Sequence, residues 1–270
     1  MDCIKELAWK KLIKQGIRKI EEIMSLNESN TTLCNISSLE HLHAIFRAYR
    51  PHNGFGVVYR GQADCHWKLL PKAGRQEYLL PDDRDLGVFK DWLDRAIAYE
   101  NVPNYFIEQL ALAQHHGLAT RLLDWTINPL IACYFACCSY PDKDGVIYIL
   151  ELPEIFATVD LSMETLKECS GVISYRPRQF SPRVLNQGGI FTIHNPPDKT
   201  IDVGPGRIAL DMPNLVQVTL CKKLKNDILE MLSDYGIDER YIYPDLDGLS
   251  RSLNYSMIKM VRQRTQRIDV

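Results

Sequence analysis

The sequence predicts an α+β fold, and two observations support that prediction. Segments whose apolar residues recur at helical spacing dominate the first half of the 270-residue chain, and most of the clear strands come later. That order disfavours the regular strand-helix alternation that builds parallel sheets. Hydrophobic residues make up 46% of the chain, which is enough to build a core and excludes global disorder.

Six segments carry helix signals. Residues 4–24 form an amphipathic pattern, and Ser37 with Glu40 forms a capping box that starts the second helix. Asn128 followed by Pro129 is a favourable helix start, and the helix after it is apolar all round, which predicts burial. The helix predictions cover residues 4–24, 37–50, 84–99, 106–116, 128–138 and 226–235.

Strands are predicted where β-branched and aromatic residues cluster between turn residues. The clearest is GVIYIL, and a shorter strand leads into Tyr59-Arg60-Gly61. The polar residues 27–33 are predicted as a loop, and Asp124-Trp125-Thr126 as a turn at a helix entry. The strand predictions cover residues 55–59, 145–150, 190–194 and 215–220.

We predict three parts along the chain: an N-terminal helical extension over 1–36, one domain over 37–250, and a basic C-terminal tail over 251–270. The segment 4–24 is either a docking surface for a partner or part of the core packing. The basic tail is a solvated face, a nucleic-acid contact or a partner-binding segment. The sequence contains no apolar stretch long enough for a membrane span and no signal peptide, which favours a cytoplasmic protein without a membrane partner.

The net charge of −2 does not by itself indicate a polyanionic partner. The charge is segregated, however, because acids collect in residues 82–94 and arginines collect at Arg176, Arg178 and Arg183 and in the tail. These arginines are candidates for phosphate contacts, and a solvated loop is the alternative. The eight cysteines include no CxxC pair, so we expect no metal site. A chain of this length can build a core without disulfides, and with no signal peptide we expect reduced thiols.

Two clusters of residues indicate chemistry. Arg60 at the end of a buried strand is suited to bidentate binding of a carboxylate or phosphate, and a structural ion pair is the alternative. The second cluster runs from Gln114 to Thr126 and contains two adjacent histidines, which point to different faces of a helix and are unlikely to share a metal. The sequence lacks GxSxG, P-loop and GxGxxG motifs, which disfavours hydrolase, P-loop and Rossmann assignments.

These clusters together resemble the FRG domain family, named for a (Phe/Tyr)-Arg-Gly motif that is present here as Tyr59-Arg60-Gly61-Gln62. The resemblance is strongest over AQHHGLATRLLDWT, residues 113–126. It continues through Pro182-Arg183, through QGGIF at 187–191 and through YPDLDG at 243–248, so that it covers about residues 40–250.

The order of these motifs is similar to that of ADP-ribosyltransferases of the Arg-Ser-Glu type. Those enzymes carry a Tyr-Arg-Gly strand, then a Ser-Thr-Ser strand leading into a helix, then a catalytic Glu. Here the corresponding positions hold Tyr59-Arg60-Gly61, Asp124-Trp125-Thr126 and Gln187. The resemblance implies a split mixed or antiparallel sheet with N-terminal helices and NAD as co-substrate. Gln187 departs from the pattern because an amide supplies no negative charge.

The resemblance also implies roles for individual residues. Arg60 holds the pyrophosphate or a ribose, and Thr126 supports Arg60 or the nicotinamide ribose. Gln187 hydrogen-bonds a ribose hydroxyl, and Asp124 is the nearest candidate if the cationic transition state needs a carboxylate. The predicted catalytic residues are Arg60, His115, Asp124, Thr126 and Gln187. The predicted NAD contacts are Tyr59, Arg60, Gly61, Gln62, Gln114, His116, Arg121, Trp125 and Tyr134, with Trp125 or Tyr134 stacking on the nicotinamide.

The functional hypothesis from these residues is an NAD-dependent ADP-ribosyltransferase acting as an intracellular toxin, in a toxin–antitoxin or anti-phage system. Its macromolecular acceptor is RNA or DNA if the basic residues contact phosphates, and a protein acceptor stays open. An antitoxin or chaperone partner is expected for such a toxin. The alternatives are an inactive nucleotide- or nucleic-acid-binding module and an NAD glycohydrolase.

Overall fold

A seven-stranded sheet organises the fold. The computed structural model describes residues 32–49, 55–153, 161–168, 171–176, 186–201 and 215–268. The segment predicted as a helix over 4–24, and the residues Arg178 and Arg183, lie outside the described residues. The strands are β1 (Thr32–Ile36), β2 (Phe55–Gln62), β3 (Leu122–Thr126), β4 (Gly145–Pro153), β5 (Gly171–Tyr175), β6 (Gly189–Asn195) and β7 (Leu215–Leu220).

Eight helices accompany the sheet within the described residues, together with short 3-10 turns at Lys72–Gly74 and Lys222–Leu224. They are α1 (Leu39–Ala48), α2 (Arg84–Ala96), α3 (Phe106–His115), α4 (Pro129–Cys137), α5 (Met163–Glu168), α6 (Lys225–Asp234), α7 (Glu239–Ile242) and α8 (Leu246–Ile268). Helices and strands are therefore both major components, which confirms the α+β prediction. None of the described helices is long and apolar enough to cross a membrane.

The strand order is β1-β7-β4-β2-β3-β6-β5. The six strands from β7 to β5 pair antiparallel, whereas β1 joins β7 in parallel at one edge. Between β2 and β3 the register contains one residue pair, Tyr59 with Thr126, whereas β2 pairs with β4 over eight positions. The sheet is therefore nearly divided in its middle, and both strand ends at the division carry polar residues.

Helix α4 fixes the position of β2. It begins with the Asn128 side chain accepting a hydrogen bond from the Leu130 amide at 3.0 Å, and it is buried, as the sequence predicts. A Cβ on Gly61 would collide with the backbone carbonyl of Ala132 and sit close to the Ala136 amide, so the helix can approach the strand only because position 61 is glycine. Gly61 therefore has a packing role beside its place at the division.

Alternate side chains of the central strands enter two apolar clusters. Tyr59 packs with α4 and α6 on one side, and Val58 packs with Trp125 and Tyr148 on the other. A third cluster joins α2 and α3 to β3 and β6 through Phe89, Leu110, Leu122 and Ile193. The division of the sheet thus lies where the helices α3 and α4 converge.

Four sequence predictions are wrong in detail. Residues 122–126 form strand β3 rather than a turn, and β1 occupies part of the stretch predicted as a loop. The N-cap of α1 is Ser38, whose hydroxyl accepts from the His41 amide at 3.3 Å, and not Ser37. The C-terminal helix α8 begins at Leu246, so the boundary predicted at 250 falls inside a helix. The other predicted helices and strands within the described residues are confirmed with shifted ends.

Candidate functional site

The division between β2 and β3 opens into a cavity of about 290 Å³. Strands β2 and β3 supply two walls, α3 and α4 cover it, and the turn before β6 closes one end. Nine of the residues predicted to act on or bind a ligand meet here, among them Arg60, Asp124 and Gln187. The lining residues are Tyr59, Arg60, Gly61, Ala111, Gln114, His115, Asp124, Trp125, Thr126, Ile131, Phe135, Gln187 and Phe191.

Arg60 is the cation of this cavity. Its Nη1 donates to the backbone carbonyl of Asp124 at 2.7 Å and lies 3.8 Å from a carboxylate oxygen of the same residue. The side chain is only 16% exposed, and its Nε is buried without a hydrogen-bond partner in the described part of the chain. Burial lowers the pKa of Arg60, while the Asp124 carboxylate acts in the opposite direction. The guanidinium thus lines the cavity with more donors than its one hydrogen bond to Asp124 uses, which suits it to bind an anion.

Asp124 is held by a relay from α3. Thr120 Oγ1 donates to Gln114 Oε1 at 2.5 Å, and Gln114 Nε2 donates to Asp124 Oδ1 at 2.7 Å. The Asp124 side chain is 58% exposed, so the relay orients a carboxylate that remains open to the cavity. Among the lining residues, Asp124 is the only acid.

Thr126 and Gln187 close the cavity from the opposite end. Thr126 Oγ1 donates to the Gln187 backbone carbonyl at 2.6 Å and accepts from the Asn128 amide at 3.0 Å. The Gln187 side chain donates through Nε2 to the carbonyl of Ile242, at the end of α7, at 3.1 Å. Thr126 is therefore a structural tie between β3 and the turn before β6, and the Gln187 amide is partly engaged elsewhere.

The two histidines separate, as the sequence predicts. His115 lines the cavity, whereas His116 faces a different groove between α2 and α3, of about 610 Å³. His116 Nε2 lies 3.1 Å from Glu100 Oε2, and its ring stacks on Trp92 at a 28° angle. His116 therefore does not contact a ligand in the cavity, which corrects its predicted role.

Arg121 is also placed outside the cavity. Its side chain is fully buried and donates to three partners: Nε and Nη2 to Asp85 at 2.6 Å, Nη2 to Asp83 at 2.6 Å, and Nη1 to Asn195 at 2.5 Å. Each of its three nitrogens therefore donates within the protein. We therefore assign Arg121 a structural role instead of the predicted NAD contact.

Neither aromatic residue predicted to stack on nicotinamide is free to do so. Trp125 borders the cavity but is only 3% exposed, and its indole N–H donates to Thr192 Oγ1 at 3.0 Å. Tyr134 lies in a separate pocket beside Glu239, where burial and that carboxylate raise its pKa. The next residue along α4, Phe135, lines the cavity instead, because consecutive helical residues point about 100° apart.

The remaining predictions fall in other places. Tyr59 lines the cavity and ties β2 to the end of α1 through its hydroxyl, which donates to the Tyr49 carbonyl at 2.8 Å. Gln62 is buried beyond the cavity. Arg176 is exposed after β5 and does not line the cavity, so its predicted acceptor contact is not part of this site.

One group of three metal-ligand types occurs among the described residues, at the consecutive positions Asp64, Cys65 and His66. It follows β2 and does not line the cavity. Only His66 of the three is exposed, and Lys225 nearby contributes positive charge. We therefore place no metal in the candidate site.

Sequence reasoning missed four apolar residues of the site: Ala111, Ile131, Phe135 and Phe191. Each belongs to a helix or strand whose pattern predicts only burial, and no local signal separates a cavity wall from core packing. The relay residue Thr120 was inside the recognised cluster, but its contact with Gln114 depends on the turn that joins α3 to β3.

Comparison with known families matches residues 56–145 to the FRG domain. The matched segment contains β2, α3, β3 and α4, and therefore Arg60, the relay and most of the cavity. No curated protein and no solved structure matches the chain.

Proposed function

We propose that this FRG domain binds NAD in the cavity between β2 and β3 and transfers ADP-ribose to a macromolecule. The observation that carries the proposal is the pairing of Arg60, a buried cation with unused donors, with Asp124, the one acid among the lining residues. A pyrophosphate requires the first group, and a cationic ribose requires the second.

The reaction breaks the bond between ribose C1′ and the nicotinamide nitrogen. The bonding electron pair stays on nicotinamide, which leaves as a neutral molecule, and C1′ acquires positive charge. An acceptor nucleophile then bonds to C1′ and releases a proton. The balance requires no oxidant, reductant or metal, so the protein has to hold the pyrophosphate, clamp the nicotinamide and stabilise the ribose cation.

Asp124 is the residue we propose for stabilising that cation. A carboxylate provides negative charge, which an amide at Gln187 does not. The relay from Thr120 through Gln114 fixes one carboxylate oxygen, and the 58% exposure of the side chain leaves the other side accessible. Gln187 then contributes a hydrogen bond to a ribose hydroxyl and completes the wall.

The apolar lining suits the nicotinamide ring. Phe135 and Phe191 approach from opposite elements, α4 and β6, and Ile131 lies beside them. A volume of about 290 Å³ is at the low end of ligand pockets, which run from roughly 300 Å³ upward. We therefore place the nicotinamide riboside in the cavity, the pyrophosphate at Arg60, and the adenosine outside on the surface.

The biological proposal is an intracellular toxin in a toxin–antitoxin or anti-phage system. NAD is an intracellular metabolite, and an enzyme that modifies RNA or DNA would need control by a neutralising partner. Exposed basic residues, including Arg176, supply charge for a polyanionic acceptor outside the cavity.

A labelling experiment tests the proposal. The protein is incubated with NAD labelled in the adenylate, separately with RNA, with DNA and with cellular protein, and both acceptor label and free nicotinamide are measured. We expect label on one acceptor and a loss of roughly 100-fold or more in Arg60→Ala and Asp124→Asn. His116→Gln is the matched control, because His116 lies outside the cavity, and it should retain activity.

Other outcomes have defined meanings. Nicotinamide release without acceptor label identifies an NAD glycohydrolase. NAD that stays intact in every tube, with a folded protein, overturns the enzyme proposal; calorimetry with ADP-ribose then shows whether the cavity only binds nucleotides.

A further inference from the structure

Helix α8 exposes an apolar face to solvent, whereas an ordinary surface helix exposes its polar face. Seven large apolar residues along α8 are 41–79% exposed, and all but Ile258 share one face: Leu246, Leu249, Leu253, Met257, Met260 and Val261. At 3.6 residues per turn their spacing places all six within about 120° of the helix circumference, so they form one continuous stripe. We call these six residues the α8 stripe.

The face that α8 turns to the body is small and polar. A Cβ on Gly248 would collide with the Tyr243 carbonyl, Ser252 is 9% exposed, and its hydroxyl donates to Asp238 at 3.3 Å. Amphipathic helices normally bury the apolar face against their own domain and expose the polar one. Here the arrangement is reversed, which is typical of a helix that docks on something else.

Charge along α8 indicates what that partner is. Acids lie at its start, at Asp245 and Asp247, and both residues are exposed. The sequence of its last two turns carries Arg262, Arg264 and Arg267. Two such helices paired antiparallel, with Leu253 facing Met257, place each acidic start against the other's basic end. Parallel pairing would place like charges together.

We propose that α8 pairs antiparallel with α8 of a second copy of this chain, burying both stripes in a two-fold symmetric dimer. Such an interface is self-complementary, because each contact between two different positions occurs twice. The helix is 23 residues long, or about 35 Å. Stable interfaces bury roughly 1,200 Å² or more in total, and two stripes of six large exposed side chains supply apolar area of that order.

The test is the mass of the full chain in solution, by sedimentation velocity and light scattering across micromolar concentrations. We expect a dimer, with Leu253→Asp and Met257→Asp each weakening it by roughly 30-fold or more, because each buries a charge at the centre of the interface. Asn254→Asp adds the same charge one position away, on an exposed residue outside the stripe, and should leave the dimer intact.

A charge exchange tests the antiparallel direction. Asp247→Arg should weaken the dimer, and adding Arg264→Asp in the same chain should restore it; no restoration overturns the antiparallel arrangement. A monomeric wild-type chain overturns the whole proposal, whether residues 4–24, a different protein or a polynucleotide then covers the stripe. The dimer does not depend on NAD, so this test and the labelling experiment fail independently.

Discussion

Arg60 lies at the division of the sheet and Arg121 at the start of β3, and the two side chains occupy opposite situations. Arg121, directly before β3, is fully buried and donates to Asp83, Asp85 and Asn195. Arg60, on β2, is largely buried with 16% of its side chain exposed, but it donates to one backbone carbonyl and leaves its Nε without a partner in the described residues. In the sequence, both arginines belong to polar motifs, and the sequence does not distinguish their roles.

The contrast distinguishes an arginine that stabilises the fold from an arginine that is suited to bind a ligand. A buried arginine with each of its nitrogens engaged holds elements together, here α2, β3 and the end of β6. Burying an arginine with unused donors costs desolvation free energy that hydrogen bonds within the fold do not offset. Such an arginine is expected where a bound ligand supplies the missing hydrogen bonds. The number of satisfied donors, and not burial or residue type, distinguishes the two roles.

The largest effect is expected from Arg121→Met. Removing this guanidinium leaves the Asp85 carboxylate buried without its cation, and we expect a loss of about 3–5 kcal/mol in the free energy of unfolding. Denaturant unfolding followed by circular dichroism measures it. Asp83→Asn is the matched control, because Asp83 is 41% exposed and contributes much less. A wild-type unfolding midpoint for Arg121→Met would remove the structural assignment.

A smaller loss of stability is expected at low pH from His194, which lies next to Asn195, one of the hydrogen-bond partners of Arg121. Its ring is buried between Thr192 Oγ1 and the Lys199 carbonyl, and burial lowers its pKa to about 4 from the usual 6.5. The unfolded chain therefore binds the proton more tightly than the native one, and stability falls as the pH drops from about 6.5 towards 4. The loss reaches about 3 kcal/mol.

Unfolding at pH 7 and pH 4.5 in wild type and in His194→Gln measures this contribution. The variant loses the histidine part of the acid sensitivity, so its stability changes less between the two pH values. Equal pH dependence in both proteins would assign the acid loss to carboxylates instead.

The smallest effect on stability is expected from Arg60→Met. Because the fold engages few of its donors, replacing the buried cation by an apolar chain should leave the free energy of unfolding within about 1 kcal/mol of wild type, or raise it. The same unfolding measurement as for Arg121→Met checks it. A loss as large as that of Arg121→Met would show that the two arginines do not differ, and would break the comparison.

Much of the fold follows from sequence patterns, and the exceptions have physical causes. Helix α4 is recognisable from Asn128-Pro129 and a fully apolar run, and β4 from GVIYIL. The sequence pattern does not predict strand β3, because the strand is five residues long and has the exposed Asp124 at its centre. The burial of its residues on both sides of Asp124 comes from tertiary packing. Helix α8 starts earlier than the predicted basic tail, since its first turn carries Asp247 and no basic residue.

The site was partly predictable for the same reason. Polar residues of one motif, such as Arg60 and Asp124, can be assigned to a common site from their chemistry. Arg121 and His116 belong to the same motif, yet they point away, since neighbouring positions on a strand or helix face different sides. Side-chain direction depends on exact element boundaries, and these are the least certain part of a sequence prediction.

The division of the sheet also has a consequence for backbone protection. Because β2 and β3 share one register pair, the edges they turn towards each other resemble outer edges, although they lie in the middle of the sheet. Amide hydrogens there should exchange with deuterated solvent faster than those between β2 and β4, which pair over eight positions. A molecule seated between the two strands would slow that exchange, so mass-spectrometric deuterium uptake over residues 57–62 and 122–126 would detect occupancy without any chemistry.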